Sequence, residues 1–441
     1  MAYTKILCPD VVVVGAGVIG GPLAIGLKKK GLEVLLVERS AKVRRVFKGE
    51  YMQPQPVATL QKLGLGSIFT KPSFDSIHNL RFRDLDKNSN EVISDIMMEY
   101  PASHSAKTFT HDTLVNELRA KAHETLGEDF WLGANLVPLN HNERDFLIRP
   151  EFELRHPERG TALVRPKWVI GCDGRTSQVR NWMKGPEAPK NRRILLGATP
   201  EHIIGAEIAT KSPVKGCYQV FRSYGEGTLF AFELPGIGQR LYYSSLDRPG
   251  VGKDQWAKSI KKIINDVRPH EKLGELDEEA PILGCPAYQM WFGPSFGGNF
   301  LLAGDAVATT TPYAGQGISA GMEHVDYLID EFDFSTSLAK STQDSQKAYA
   351  EKTRAIQERL DIVNLGLYYL FFARAPLFKT TTRHVTNTWK LAPELPNRVM
   401  RLFAGIDKDK PGLAELFDLW GISRKGLTTV LGRPVFQRDT Q

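Results

Sequence analysis

The feature that most constrains the fold of this 441-residue chain is a glycine-rich turn near its N-terminus. Residues 10–14 form a short, mostly β-branched run that predicts a buried strand. The segment Gly15-Ala-Gly17-Val-Ile-Gly20 follows and opens a helix over residues 18–30. Residues 33–37 then predict a second strand, which ends at Glu38. This β-α-β succession predicts an α/β fold of the Rossmann type.

The glycines of this turn have the spacing of a dinucleotide-binding fingerprint. Gly15 permits a tight turn, Gly17 lets the backbone approach a pyrophosphate, and Gly20 allows close helix–strand packing. The helix N-terminus offers unpaired N–H groups and a positive dipole to phosphates. Glu38 can accept hydrogen bonds from a ribose, and Arg39 is a further candidate beside it. The sequence therefore predicts a bound dinucleotide, with a glycine turn that holds no cofactor as the alternative.

Two later motifs favour FAD over NAD. A buried strand followed by Cys172-Asp173-Gly174 resembles the DG motif of flavin-dependent monooxygenases. Gly304-Asp305-Ala306, with Pro312 and Gly315-Gln-Gly317 after it, resembles their GD motif. With the fingerprint, these motifs are similar in order and spacing to the single-component (group A) flavoprotein monooxygenases over residues 10–330.

The resemblance implies FAD as cofactor, NADPH or NADH as co-substrate, and O2 as oxidant. Asp305 would bind the ribityl chain, Asp173 would help to hold FAD, and residues 312–317 would face the pyrimidine edge of the flavin. Turn capping is the alternative role of both aspartates. In such enzymes O2 adds to the reduced flavin, and the C4a-hydroperoxide delivers one oxygen. No catalytic triad is therefore required, and we name no certain catalytic residue.

A further segment is similar to squalene epoxidases and related terpenoid epoxidases. It is Gly49-Glu-Tyr51-Met-Gln53-Pro, in which Tyr51 and Gln53 are pocket candidates together with Pro312. The arginine of that family falls on Val46, which leaves Arg45 or Lys48 to replace it near the cofactor. The resemblance implies epoxidation or hydroxylation of a hydrophobic small molecule: a terpenoid, a polyketide or an aromatic compound of secondary metabolism. The departure from the family pattern argues against squalene itself.

The predicted fold class is α/β: a Rossmann-type FAD-binding domain, an antiparallel-sheet substrate domain and a helical C-terminus. We assign residues 1–185 to the FAD-binding domain, with inserted strands at about 77–100. The substrate-binding sheet would follow at 186–295, the FAD-binding domain would return at 296–330, and residues 331–441 would be helical. Aromatic residues alternate along the middle segment and could line a pocket, but such alternation more often reflects ordinary sheet packing.

Composition excludes several other classes. The charge of +7 is scattered along the chain, so we expect no nucleic-acid partner. Four separated cysteines and unclustered histidines predict neither a disulfide framework nor a metal site. Without a secretory or membrane-spanning segment, we expect a cytoplasmic protein. The apolar stretch 362–378 could contact a membrane surface peripherally, or could pack over the FAD-binding domain.

Three other functions stay open at this stage. The pattern Gly317-Ile-Ser319-Ala-Gly321 formally matches a hydrolase nucleophile elbow, although no buried strand precedes it. Flavin-dependent halogenases share the fingerprint but carry a Trp-rich signature, to which residues 289–294 are the nearest match. A non-catalytic protein on the same dinucleotide-binding fold is the third alternative.

Overall fold

A computed structural model describes most of the chain. The described residues are 3, 5–86, 92–139, 143–183, 192–194, 201–209, 214–223, 227–245, 253–267, 276, 281–287, 289–335, 340–372, 376–392 and 394–406.

A six-stranded sheet forms the first half of the molecule and is called the parallel sheet below. In spatial order its strands are Phe296–Gly297, Phe300–Leu302, Trp168–Gly171, Val11–Val14, Val34–Glu38 and Phe130–Leu132. All neighbours run parallel except the first pair. The central strands are apolar throughout because both faces of the sheet are covered.

Helices cover one face of the parallel sheet and a second sheet covers the other. The helices in the first layer are Gly20–Lys29, Pro54–Lys62, His111–Leu126 and Gln316–Asp330. The second sheet has the strands Lys5–Leu7, Gly160–Val164, Phe152–His156 and Asn135–Pro138. Short helices Glu143–Ile148 and Gln178–Met183 lie at the side of this layer.

A seven-stranded sheet, called the large sheet below, forms the second half. Its order is Ile282–Ala287, Glu201–Ile208, Gly238–Ser245, Gly227–Leu234, Cys217–Ser223, Asn79–Leu85 and Val92–Glu99. The strands predicted as an insertion in the first domain thus belong to this sheet, since Asn79–Leu85 pairs in parallel with Cys217–Ser223. The other neighbours are antiparallel.

Helices also cover the large sheet. The amphipathic helix Lys253–Val267 packs on one face through Ile260, Ile263 and Ile264. The helices Lys340–Phe372, Pro376–Leu391 and Glu394–Phe403 follow the return to the parallel sheet, and their apolar residues pack against the opposite face. The predicted α/β class, with an antiparallel sheet and a helical C-terminal region, is confirmed.

Short elements join the two halves. There are two small three-stranded sheets among the described residues. The first has the strands Tyr51–Met52, Ala106–Thr108 and Asp75–Ile77. The second has the strands Arg192–Ile194, Gln289–Trp291 and Ala308–Thr309. The 3₁₀ helices are Gly66–Thr70, Gly127–Asp129, Gly304–Ala306 and Pro312–Ala314. Within the described part of the chain, no helix is long and apolar enough to cross a membrane. In the stretch 362–378, the described side chains of Val363 and Leu367 are buried.

Candidate active site

One cavity of about 740 Å³ lies where the parallel sheet, the large sheet and the C-terminal helices meet. Its first part, the dinucleotide end, is formed by the predicted motifs, and Gly15, Gly17, Glu38, Arg39, Asp173, Gly174 and Asp305 line it. Its second part, the apolar chamber, is lined by Leu80, Phe82, Met98, Ile203, Tyr218, Val220, Phe230, Phe232, Ile362, Val363, Leu367, Val385, Trp389, Val399 and Leu402. The two parts are continuous.

The fingerprint turn is shaped by glycine. Gly15 has a φ of +102°, and a Cβ atom there would lie 2.6 Å from the carbonyl oxygen of Cys172. A Cβ on Gly20 would lie 1.8 Å from the carbonyl oxygen of Gly15, so the helix could not begin so close to the turn. Gly17, in contrast, faces open space, with no atom within 4 Å of a Cβ built there. The turn therefore leaves room for a ligand beside Gly17.

Glu38 lies at the end of its strand and fixes the fingerprint turn. Its carboxylate accepts hydrogen bonds from the backbone N–H groups of Ala16 (3.0 Å) and Ser40 (2.8 Å). The guanidinium of Arg119 lies 3.3 Å from the same carboxylate and donates to the carbonyl oxygens of Ala16 and Ser40. The acid predicted to meet a ribose thus also holds the loop around it in place.

Asp173 has two distinguishable carboxylate oxygens. Its Oδ2 accepts from the backbone N–H groups of Gln178 (2.6 Å) and Val179 (3.3 Å), so it caps the helix Gln178–Met183. Its Oδ1 is buried and has no hydrogen-bond partner among the described residues. Gly174, next in the chain, has a φ of +79° and open space in front of it. Capping explains one oxygen of this aspartate and leaves the other available to a ligand.

Asp305 follows the buried strand Phe300–Leu302 and is 37% exposed. Its carboxylate lies 3.7 Å from Nε of Arg175, which is a longer separation than a hydrogen bond. The turn beneath it is held by His324, whose Nδ1 accepts from the N–H of Gly304 at 3.0 Å. Burial lowers the pKa of His324 to about 3, so the ring is neutral and can accept this bond.

The turn after Asp305 contains the left-handed residue that begins a long helix. Gly315 has a φ of +62° and immediately precedes the helix Gln316–Asp330. Side chains fix the turn from the C-terminal side: Thr311 Oγ1 donates to Asn364 Oδ1 at 2.8 Å, and Asn364 Nδ2 donates to Thr310 Oγ1 at 2.6 Å. The turn is therefore attached to the helix Lys340–Phe372.

Two polar networks lie between the dinucleotide end and the apolar chamber. The hydroxyls of Tyr51 and Tyr100 are 2.6 Å apart, and Tyr100 donates to Gln53 Oε1 at 2.5 Å. Burial raises the pKa of both phenols, so they stay protonated at neutral pH. The Gln53 amide that accepts this hydrogen bond is not a base.

The second network is ionic and buried. The guanidinium of Arg240 donates to both oxygens of Glu50, at 2.7 and 2.9 Å, and to Glu207 at 2.9 Å. Tyr242 also donates to Glu50, at 2.5 Å, and Arg240 lies 3.5 Å from the ring centroid of Phe47. Burial raises the pKa of Glu50, and Arg240 opposes that shift. This network ties the segment before Tyr51 to the large sheet.

The structure brings most of the predicted site residues to the cavity wall. Those that line it are Gly15, Gly17, Glu38, Arg39, Tyr51, Gln53, Asp173, Gly174, Asp305, Pro312, Gly315 and Gly317. Gly20 and Gly304 lie behind this wall, in the turns. Arg45 is outside it: its side chain is half exposed and pairs with Glu207 at 2.5 Å, whereas Lys48 lines the cavity.

Sequence reasoning missed three groups of wall residues. His111 begins the helix His111–Leu126 and lines the cavity, and burial together with Lys48 lowers its pKa to about 4. Glu50 lines the wall within the epoxidase-like segment, which assigns it no role, and its partner Arg240 lies outside the wall. The chamber residues of the C-terminal helices, such as Trp389, show only an apolar periodicity that ordinary packing also produces.

The hydrolase pattern is not realised. Ser319 lies inside the helix Gln316–Asp330, is 1% exposed and does not line the cavity. Its Oγ has no hydrogen-bond partner among the described residues, so none of them is placed to activate it as a base.

The dinucleotide end fits FAD. Open space beside Gly17 and Gly174 leaves a path along the ends of the parallel strands, where a diphosphate can meet backbone N–H groups. The unpartnered Oδ1 of Asp173 and the weakly held carboxylate of Asp305 supply acceptors for hydroxyl groups along that path. Within the described part of the chain, no group of His, Cys, Asp and Glu side chains could hold a metal ion.

Comparison with known proteins agrees with this geometry. The family model described as an FAD binding domain matches residues 9–230. The chain is 21% identical over 438 residues to squalene epoxidase of Saccharomyces cerevisiae, covering 90% of this chain and 84% of the yeast enzyme. It is 30% identical over 172 residues to squalene monooxygenase of Mus musculus, but this match covers 39% of the chain and 30% of the mouse enzyme.

Solved structures show the same fold at low identity. An anhydrotetracycline hydroxylase from Streptomyces rimosus superposes with a TM-score of 0.65 at 18% identity, covering 91% of this chain and 76% of that one. A flavin-dependent brominase gives a TM-score of 0.64 at 16% identity, covering 90% and 94%. Both likenesses concern the fold.

Proposed function

The chain belongs to the FAD-dependent monooxygenases of the single-component class, and from this premise we propose that it epoxidises a hydrophobic alkene with NAD(P)H and O2. The observation that carries the proposal is the continuity of the cavity. Its dinucleotide end leads directly into the apolar chamber, and no described chamber residue is charged. A small uncharged molecule in the chamber would thus lie next to a flavin held at the other end.

The residues of the dinucleotide end have distinct proposed tasks. The N–H groups of the turn from Gly15 to Gly17 would meet the pyrophosphate, and Glu38 would accept from the ribose of the adenosine. Asp305 would accept from the ribityl hydroxyls. The N-terminus of the helix after Gly315 would place positive dipole beside the pyrimidine ring, where negative charge develops on reduction.

The apolar chamber supplies position and excludes water. When bound, FAD supplies the redox chemistry, by accepting a hydride from NAD(P)H and activating O2. The chamber walls come from the large sheet on one side and the C-terminal helices on the other, and both are buried. They keep water from the reacting atoms, which limits the loss of activated oxygen as hydrogen peroxide.

Epoxidation is favoured over phenol hydroxylation because none of the described residues that define the apolar chamber is a free base. Hydroxylation of a phenol is helped by a group that removes the phenolic proton. The carboxylate of Glu50 is bound by Arg240 and Tyr242, and the Tyr100 hydroxyl donates to an amide. His111 lines the cavity beside Gly49, with a buried Nδ1 that has no partner among the described residues, and is not one of the residues that define the apolar chamber. Epoxidation of an alkene needs no such base; it needs only a cavity of matching shape with apolar walls.

The test is oxygen transfer under ¹⁸O2. The FAD-loaded protein is supplied with NADPH or NADH and with either a prenyl alkene or an alkylphenol of similar size. We expect an epoxide that carries one ¹⁸O atom from the alkene and little product from the phenol. If the phenol gave a labelled catechol and the alkene gave no epoxide, the enzyme would be a phenol hydroxylase and not an epoxidase. If both substrates were recovered unchanged although NAD(P)H reduces the flavin, the proposed function would be contradicted.

A further inference from the structure

One phenol in the apolar chamber differs from the others in its hydrogen bonding. Three tyrosine hydroxyls at the cavity wall are occupied: Tyr51 bonds Tyr100, Tyr242 donates to Glu50, and Tyr313 lies 2.9 Å from Ser244 Oγ. Tyr218, on the strand Cys217–Ser223, makes no hydrogen bond through its hydroxyl to any residue that the structure describes.

The ring of Tyr218 packs against aromatic neighbours. It stacks on Phe232, with ring centroids 5.2 Å apart and an interplanar angle of 15°, and it meets Tyr51 at 4.7 Å and 60°. The residue is 8% exposed. Burial also raises the pKa of this phenol, so the hydroxyl stays neutral and can both donate and accept.

Tyr218 lines the cavity and its hydroxyl is open to it, so a bound molecule can replace the water that this group would otherwise bond. The neighbours of Tyr218 are apolar side chains and the ring of Tyr51, whose hydroxyl is already bonded to that of Tyr100. A polar atom of a bound molecule is therefore the partner that this hydroxyl can gain on binding.

We propose that Tyr218 hydrogen-bonds the single polar group of an otherwise apolar substrate, and so selects alkenes bearing a hydroxyl, carbonyl or ring N–H over plain hydrocarbons. This inference rests on the proposed function and names its substrate class. The bond also sets an orientation. Tyr51, the ring beside Tyr218, lies 3.1 Å from a Cβ built on Gly315, at the turn that begins the long helix. The polar group is thus anchored near this turn, and the apolar remainder extends towards Trp389 and Leu402.

The test compares two probes on the FAD-loaded enzyme and on its Tyr218→Phe variant. The probes are farnesol and the hydrocarbon of the same skeleton that lacks the hydroxyl, and binding is followed by the change in flavin absorbance. We expect the parent enzyme to bind farnesol about tenfold more tightly than the hydrocarbon, the ratio that one net hydrogen bond gives. The Phe variant should bind both about equally, with the hydrocarbon affinity unchanged.

A matched Tyr327→Phe variant controls for the substitution itself, because Tyr327 lies on the helix Gln316–Asp330 and does not line the cavity. It should keep the preference for farnesol. Equal binding of the two probes by the parent enzyme, a preference that survives in Tyr218→Phe, or no spectral change with either probe would each overturn the inference. A binding preference lost in Tyr218→Phe without any oxygenated product would sustain this inference and contradict the proposed function instead.

Discussion

At the scale of single residues, the two aspartates of the flavin motifs are built differently. Asp173 caps a helix with one carboxylate oxygen, so the alternative role considered from the sequence is part of its function. Asp305 makes no such bond within the described chain, and its nearest charged neighbour is Arg175 at 3.7 Å. This difference supports the prediction that Asp305, which lines the cavity, contacts the cofactor.

We therefore expect Asp305→Ala to weaken FAD binding by about ten- to a hundredfold, the effect of losing a hydrogen bond to a charged group. The fold should be unchanged by circular dichroism. The measurement is the FAD dissociation constant and the flavin content after purification. Glu331→Ala, at an exposed acid outside the cavity, is the matched control. An Asp305→Ala protein that purifies with full flavin would refute the assignment.

His324 makes the turn under Asp305 sensitive to pH. Its folded pKa, about 3, lies below the ordinary value of 6.5 because the ring is buried. The unfolded chain therefore binds a proton that the folded chain does not, and the free energy of unfolding falls as pH drops below about 6.5. This single histidine should lower the free energy of unfolding by about 2 kcal/mol between pH 7 and pH 5.

The measurement is urea unfolding at both pH values. His324→Gln should remove that part of the pH dependence, since an amide oxygen can still accept from Gly304 without titrating. Exposed His78 provides the control, His78→Gln, which should leave the pH dependence as it is. An unchanged slope in His324→Gln would show that other groups determine the acid sensitivity.

At the scale of elements, the sequence predicts structure that depends on local contacts and does not predict structure that depends on contacts between distant segments. The unit of strand, glycine turn and helix is local, and Gly15 and Gly20 have steric requirements that a motif records. The pairing of Asn79–Leu85 with Cys217–Ser223 joins segments more than a hundred residues apart. The alternation of polar and apolar residues in a strand predicts which face is buried, but not which strand pairs with it. For the same reason, the sequence does not predict that the C-terminal helices line the apolar chamber, because an apolar helix face does not specify what it packs against.

Substitutions in the helix Pro376–Leu391 test whether the C-terminal helices form a wall of the apolar chamber. Val385 lies in the chamber lining, whereas Leu391 on the same helix is 61% exposed. Val385→Phe adds volume where the cavity can receive it, so we expect KM for a long prenyl alkene to rise about tenfold while FAD affinity stays constant. Leu391→Phe should change neither value. Unaltered kinetics in Val385→Phe would mean that substrate does not reach these helices.

Basic residues show the remaining limit of the sequence. The epoxidase-like segment leaves Arg45 and Lys48 as candidates to face the cofactor, and sequence alone does not choose between them. The structure turns Arg45 towards Glu207 on the large sheet and Lys48 towards the cavity. The choice depends on where a distant acid lies. A family motif does not encode that position.

At the scale of the whole molecule, the cavity is the place where three layers meet. Its wall takes residues from the parallel sheet, the large sheet and the C-terminal helices, and Arg240 binds Glu50 across the boundary between the sheet and the loop. A ligand that binds only this folded arrangement stabilises all three layers together, by an amount set by its concentration relative to its dissociation constant.

At one hundred times its dissociation constant, FAD should stabilise the fold by about 2.7 kcal/mol, which for a chain of this length raises Tm by about 3 °C. Thermal unfolding should show one transition by both far-UV circular dichroism and tryptophan fluorescence, and both should shift together. AMP, which can occupy only the adenosine part of the dinucleotide end, should give a smaller shift. If FAD moved the transition of one probe alone, the layers would unfold separately and the cavity would not couple them. If FAD moved neither, the dinucleotide end would not hold the cofactor that its motifs imply.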